Sequence, residues 1–493
     1  MTNFNVKIYC ALRGGDKSDK IESPLQSTII LSIAFFFVFS AFMSIQALQN
    51  SLNMEAGLGV KSLACLYSAC IVSSLLAPFC IKVFGGKITV VVAFSCHSIY
   101  VMSNFYPRFY TLIPTSVLLG LATGPLWTAQ NLFITASATR IAEKRNKNLK
   151  DVLNRHNGIF FSIHGMAFAI GSVVSSLIFH TDTTLASGNV TKYCGTLECD
   201  SYTQPITSNI SFRSINRPSP QLLHQLFSVY LAFDIIGVVI TVLLLPTLPV
   251  SEWIKKKSAL KSIYSMCSSL LNVKLVLFLP LTVMVSVQRF VLYADFTKAY
   301  ITCPFSIGWV GFVMASYALT NTIMLQIIQG IAKLIKRQIL VAFAAIVNLA
   351  EMTFWLFWNP TADHLPLIFV SVILWGVTDA IWKLEIFGII PVLFSSKMEP
   401  AFANVHFWGA FSSAVYFGTA SYLCVFTKLV ICIALMIISM LLYILLQIKL
   451  AREQSPDRPT GQEINIEERK NLKTRKRLRT TVRRINLTFN KPF

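Results

Sequence analysis

Twelve long apolar stretches, in two sets of six, constrain this chain more than any other feature. A basic segment, SEWIKKKSALKSIYS, separates the sets. Crossing the hydrocarbon core takes about 20 mostly apolar residues. In lipid, only helices and closed barrels satisfy their own backbone hydrogen bonds. These stretches are continuous runs rather than alternating ten-residue strands. The expected fold is therefore an all-α membrane protein of twelve transmembrane helices. The stretches begin near Thr28, Ser62, Ile88, Thr111, Gly158, Leu226, Val273, Ser306, Gln338, Leu367, Val405 and Leu429. The second, eighth and eleventh carry Ser, Thr and Gly among their apolar residues.

The expected organisation follows from these stretches. Residues 1–27 form a cytosolic tail and 28–247 a first six-helix half. Residues 248–272 form a cytosolic central loop, 273–447 a second half, and 448–493 a basic cytosolic tail without the apolar content for a core. Between the fourth and fifth stretches, ATRIAEKRNKNLKDVLNRH reads as a short helix on the cytosolic leaflet, with Ile141, Leu149 and Val152 roughly on one face. The first stretch is too long for a cleaved signal and is expected to act as a signal anchor.

The net charge of +21 would suggest nucleic acid in a soluble chain. Here the bilayer explains it better, because Lys and Arg collect in loops that stay cytosolic. Lys7, Arg13, Lys17 and Lys20 precede the first stretch, and the segment from Lys449 onward holds 13 of the 43 basic residues. Both ends are therefore expected inside, which requires an even number of spans. That parity puts the loop after the fifth span outside. The loop holds Cys194 and Cys199 in YCGTLEC, together with two glycosylation sequons at Asn189 and Asn209. The two cysteines are expected either to form a disulfide across a tight turn or to stay as free thiols. A third sequon, at Asn486, lies in the cytosolic tail and should stay unmodified. The basic run near Arg475 reads as a solvated tail, an anionic-lipid contact or a sorting signal.

Charges within spans cost about 2.5–3.5 kcal/mol each on insertion scales and are seldom idle. The tenth stretch holds Asp379, Lys383 and Glu385. Asp379 and Lys383 are four apart, on one helix face, and are expected to pair. Glu385 points elsewhere, with Glu351 and Asp234 as candidates to meet the remaining charge. Arg289 is expected to pair with Asp295. Two readings stand: a proton or ion relay or charged cavity for a small solute, or internal pairing that holds helix register. In the fourth stretch, Gly120 and Gly124 form a small-xxx-small pair that lets helices approach closely. Trp127, Gln130 and Asn131 then place polar groups on an apolar helix, for a cavity or for a neighbouring helix. Gly158, Gly165 and Gly171 mark a close seam on the fifth stretch, and His164 reads as a bonded interior histidine. The pattern calls for no cofactor. There is no metal-spaced His/Cys cluster, no Walker loop and no nucleophile elbow, so no enzyme is expected.

Six plus six helices with cytosolic ends and a basic central loop resemble the layout of major facilitator proteins, whose two halves face each other across a central cavity. Their signature loop after the second span carries an acidic residue, Gly and two basic residues. In PFCIKVFGGKI, Gly85 and Lys87 fit, but Lys82 stands where the acidic residue belongs. The strings FSAFMSIQALQNSLNMEAGLGVKSLACLYSACIVSSLLAP, GPLWTAQNLFIT, NGIFFSIHGMAFAIGSVVSSLI and EPAFANVHFWGAFSSAVYFGTASYLCVFTKLVI resemble the unc-93 family, in order, over residues 28–447. The resemblance is closer to the A-type branch. It implies a major-facilitator fold in a 6+6 bundle and an accessory role: regulating a potassium channel complex in one branch, or trafficking of Toll-like receptors in another. A membrane-protein partner, either a potassium channel or a receptor, is therefore expected, with no nucleic acid. Plasma membrane is the expected location, with endolysosomal membrane as the alternative. A secondary transporter using Glu351, Asp379 and Lys383 is the competing function.

Overall fold

A computed structural model describes residues 24–180, 194–199, 218–247, 259–331, 335–394 and 398–454. The described secondary structure is helical throughout. The helices are α1 (Pro24–Leu52), α2 (Leu58–Ser103), α3 (Phe109–Arg145), α4 (Leu149–Phe179), α5 (Pro220–Leu244), α6 (Ala259–Ser269), α7 (Val273–Phe290, continuing as a π-helix over Val291–Thr302), α8 (Ile307–Ile331), α9 (Arg337–Phe357), α10 (Leu365–Leu393), α11 (Met398–Ala420) and α12 (Val425–Gln454). Residues Met1–Tyr443 form one compact unit and Ile444–Phe493 a second, whose described part is the last turns of α12.

Eleven helices among the described residues are long and apolar enough to cross a membrane. Two of them lie in α2, which holds the second and third expected stretches. Gly85 interrupts α2 with φ +75°, a left-handed backbone that glycine adopts without strain, so the connection needs no loop. The eleventh expected stretch is the 23-residue helix α11. It does not count among the eleven, because His406, Gly409, Ser412, Ser413 and Thr419 dilute its apolar run.

Two other expectations change. The segment after the fourth stretch is not a separate surface helix. It is the end of α3 and the start of α4, broken at Asn146 in the left-handed region (φ 50°). Val152 is buried there with Ala138 and Ala142, and Ile141 packs against them. Conversely, the stretch expected as central loop contains α6. Asn404 of α11 holds it, donating to the Met266 carbonyl at 3.0 Å and to Ser269 at 2.8 Å.

Small residues set the helix seams, because without a hydrophobic drive between helices close packing must carry association. A side chain on Gly120 would strike the Leu66 carbonyl, and one on Gly124 would lie 2.6 Å from the Ser73 backbone. Ser73 donates to the Gly120 carbonyl at 2.8 Å, which fastens α3 to α2. On α4, Gly165 faces Thr322 of α8 and Gly171 faces the Ser40 carbonyl of α1, whereas Gly158 has nothing within 4 Å. Ser176 completes the α4–α8 seam by donating to the Gly308 carbonyl at 2.6 Å and accepting from Phe312 N at 2.8 Å.

The π-helical end of α7 is buried along its whole length. Such i→i+5 winding is rare and often sits at functional sites. Here it is bolted to the end of α1. Asn50 donates to the Ala294 carbonyl at 2.9 Å, Thr297 to the Ala47 carbonyl at 3.2 Å, and Ser51 bonds Thr302 at 3.1 Å.

Candidate functional site

The buried polar groups converge on α10. Asp379 and Lys383 pair at 2.9 Å, as their spacing predicts. Around them stand Tyr317 and Asn321 of α8, which donate to Asp379 Oδ2 at 2.7 and 3.1 Å. Lys383 also donates to Asn321 Oδ1 at 2.6 Å. Arg289 of α7 reaches Asp379 Oδ1 at 3.6 Å. It does not pair with Asp295, which instead meets Tyr416 of α11 and Lys428 of α12.

Facing this cluster is an aromatic group from α1, α3 and α4. Trp127 lies 5.4 Å from Phe39 and 5.5 Å from His164, ring centre to ring centre. Phe35 and Phe160 stack around them. The two groups are joined through the α4–α8 seam, where Gly165 faces Thr322 and the Phe168 and Tyr317 rings lie 6.3 Å apart. His164 is therefore interior as expected, but its Nε2 has no hydrogen-bond partner among the described residues. Gln130 does not join the cluster: it is buried in α3, with its Nε2 likewise unpartnered.

Glu385 finds neither Glu351 nor Asp234. Arg337, at the start of α9, donates to Glu385 through Nε and also to its carbonyl at 3.2 Å, while Tyr443 donates to Glu385 Oε1 at 2.7 Å. Glu351 sits one helix face away, where Asn348 donates to it at 3.3 Å. Asn348 also bonds Thr378 and accepts from Trp382 at 2.7 Å. Asp234 is fully buried in α5, and neither of its oxygens is bonded among the described residues.

The cysteine expectation is corrected. Cys194 and Cys199 do not bond to each other: Cys194 pairs with Cys303 after α7, and Cys199 with Cys424 before α12. A three-residue 3-10 turn, Gly195–Leu197, holds the two cysteines apart and aims them at different helix ends. The turn docks closely. Gly195 (φ +75°) packs on Pro360 and Trp358, Val425 N donates to the Glu198 carbonyl, and Lys298 pairs with Glu198 at 3.0 Å. Beside it, Lys428 bonds Asp295 at 2.7 Å and Tyr416 donates to the other Asp295 oxygen. The sequons at Asn189, Asn209 and Asn486 lie outside the described residues.

Comparison with solved structures fits this architecture. The bundle is similar to the nucleoside transporter NupG, with a TM-score of 0.59, 12% identity, and coverage of 85% of this chain and 99% of that one. It is also similar to a D-xylose-proton symporter, with a TM-score of 0.54, 11% identity, and coverage of 84% and 96%. At these identities the likeness shows a shared major-facilitator fold. Sequence relatives are nearer. Protein unc-93 homolog A of Xenopus laevis is 34% identical over 428 residues, covering 85% of this chain and 92% of the relative. The Homo sapiens homolog A is 32% identical over 450 residues, covering 89% and 96%. A Caenorhabditis elegans protein called putative potassium channel regulatory protein unc-93 is 28% identical over 438 residues, covering 86% of this chain and 61% of its own length. The family model described as ion channel regulatory protein UNC-93 matches residues 50–444, and the chain belongs to that family.

Proposed function

We propose that this protein is a multi-pass accessory subunit that regulates a potassium channel in the same membrane. Its membership of a family described as ion channel regulators carries the reading. The local structure at Lys82 supports it. Major-facilitator pumps use an acidic residue there, whereas Lys82 is an exposed cation beside the Gly85 break. The paired charges also favour a framework. Glu385 is bonded by Arg337 and Tyr443, which ties α10 to α9 and α12. The transporter fold supports a second reading, a secondary transporter of a small solute working through Asp379 and Lys383.

The proposed topology keeps both ends cytosolic in the plasma membrane, or else in an endolysosomal membrane. The proposed organisation is two halves of six helices, with Asn189 and Asn209 as glycan acceptors on the outer side. The two disulfides support an oxidising environment at that end. No enzymatic activity is proposed.

Affinity purification of the tagged chain from mild detergent, after co-expression with potassium channels, tests the reading. A potassium channel is expected to co-elute in stoichiometric amount. Recovery of the chain alone, with solute flux into vesicles under a proton or ion gradient, would favour the transporter instead.

A further inference from the structure

Among the described residues the charges at the centre do not balance. Arg289 and Lys383 contribute two positive charges, and Asp379 is the one described carboxylate that meets them. Their hydrogen bonding is equally uneven. Asp379 Oδ2 already accepts from Tyr317, Asn321 and Lys383. Arg289 approaches only to 3.6 Å, and its Nε is buried with no partner. A guanidinium carries five donors and is built for two-pronged contact with a carboxylate. Three donors crowd Oδ2, while Arg289 reaches Oδ1 only at 3.6 Å, so its donors are left underused.

Exposure shows where the spare donors face. The Asp379 side chain is 2% exposed, whereas those of Arg289 and Lys383 are 31% and 30% exposed although both sit within spans. The cations therefore keep reachable surface although they lie within spans. On α4, which packs on α8 through Gly165 and Thr322, His164 has an unpartnered Nε2 and lies at the edge of the part-exposed Trp127 ring. One wall is thus cationic with unused donors, and the other is flat and apolar. A net positive charge at mid-span is costly when left uncompensated, and one added negative charge neutralises it.

We propose that the space between Arg289, Lys383 and His164 binds a small organic monoanion, a carboxylate with an apolar ring or chain. The carboxylate meets Arg289 and Lys383, and the apolar body lies against Trp127. This site goes beyond the channel-regulatory reading. Binding is measured on the isolated chain, so it stands or falls separately from any effect on a channel.

The test uses the purified full-length chain in detergent and titration calorimetry with 2-naphthoate, 2-naphthylmethanol and palmitate. The acid is expected to bind at one site and the neutral alcohol about tenfold or more weaker, the size of one charge-assisted contact. Lys383→Gln and Arg289→Gln should each weaken the acid by about tenfold or more. Asp379→Asn should tighten it, because it removes the internal competitor, a gain that a merely structural aspartate would not produce. Competition by palmitate assigns the carboxylate to a membrane lipid, and lack of competition to an aqueous acid. Either result, with the naphthoate preference, supports the site. Equal affinity for acid and alcohol, or no acid binding, overturns the proposal on the wild-type chain alone. Unchanged acid binding in folded Lys383→Gln also overturns it.

Discussion

Serine at Cys199 and Cys424 together should destabilise the protein by about 2–5 kcal/mol, the usual range for loss of a native disulfide. The bond joins residues 225 positions apart, and cross-links that close long loops restrict the unfolded chain most. The folded state loses docking as well. With the bond gone, the Val425 N to Glu198 carbonyl contact and the Lys298–Glu198 pair must hold the turn unaided. Thermal unfolding of the detergent-purified chain, with and without reductant, measures the effect. The wild-type midpoint should fall on reduction, and the serine variant should no longer respond to breaking of that bond. A non-reduced digest should yield peptides linking Cys194 to Cys303 and Cys199 to Cys424. A Cys194–Cys199 peptide would contradict the account of this end of the bundle.

Lys428→Met should cost about 3–5 kcal/mol, because it leaves Asp295 buried without its cation. Both side chains are almost wholly enclosed, at 8% and 3% exposure. Tyr416 donates to the same carboxylate, so the aspartate keeps one neutral donor and loses its charge partner. Adding Asp295→Asn to Lys428→Met should recover much of the loss, since the buried charge itself is then gone. Unfolding midpoints for the two single variants and the double variant give the coupling by a double-mutant cycle. Simple additivity of the two losses would contradict the pairing. The Arg108–Glu55 pair offers the contrast. Its side chains are 51% and 83% exposed at 3.9 Å, and Arg108→Gln should leave the unfolding midpoint essentially unchanged.

Much of the fold was legible because burial in lipid leaves few choices. Apolar runs, Lys and Arg in the loops and the four-residue spacing of Asp379 and Lys383 each depend on local sequence. What escaped depends on pairing between distant segments. The YCGTLEC spacing suggested a local bond, yet the 3-10 turn between the cysteines sends them to Cys303 and Cys424. Each of those two lies in a short turn between apolar stretches, at the same end of the bundle as the YCGTLEC loop. Span parity also puts those two turns on the side of that loop, so the even number of cysteines there was available from the sequence.

Arg337 was missed as the partner of Glu385 because it lies at a helix start, where a basic residue normally reads as loop charge. The expected Arg289–Asp295 pair did not form because each found a partner on another helix, Arg289 with Asp379 and Asp295 with Lys428 and Tyr416. Of the candidate site, the sequence showed Asp379, Lys383 and Trp127. The convergence of Arg289, Tyr317 and Asn321 needed the packing of α7 and α8 on α10.

The central claim is that a transporter's architecture serves here to regulate a channel. Whole-cell potassium current, recorded from cells expressing a potassium channel with and without this chain at equal channel surface density, tests it most directly. The account predicts a severalfold change in current that persists when proton and sodium gradients are abolished. A current that is the same with and without the chain, across the potassium channels with which it co-purifies, would contradict it.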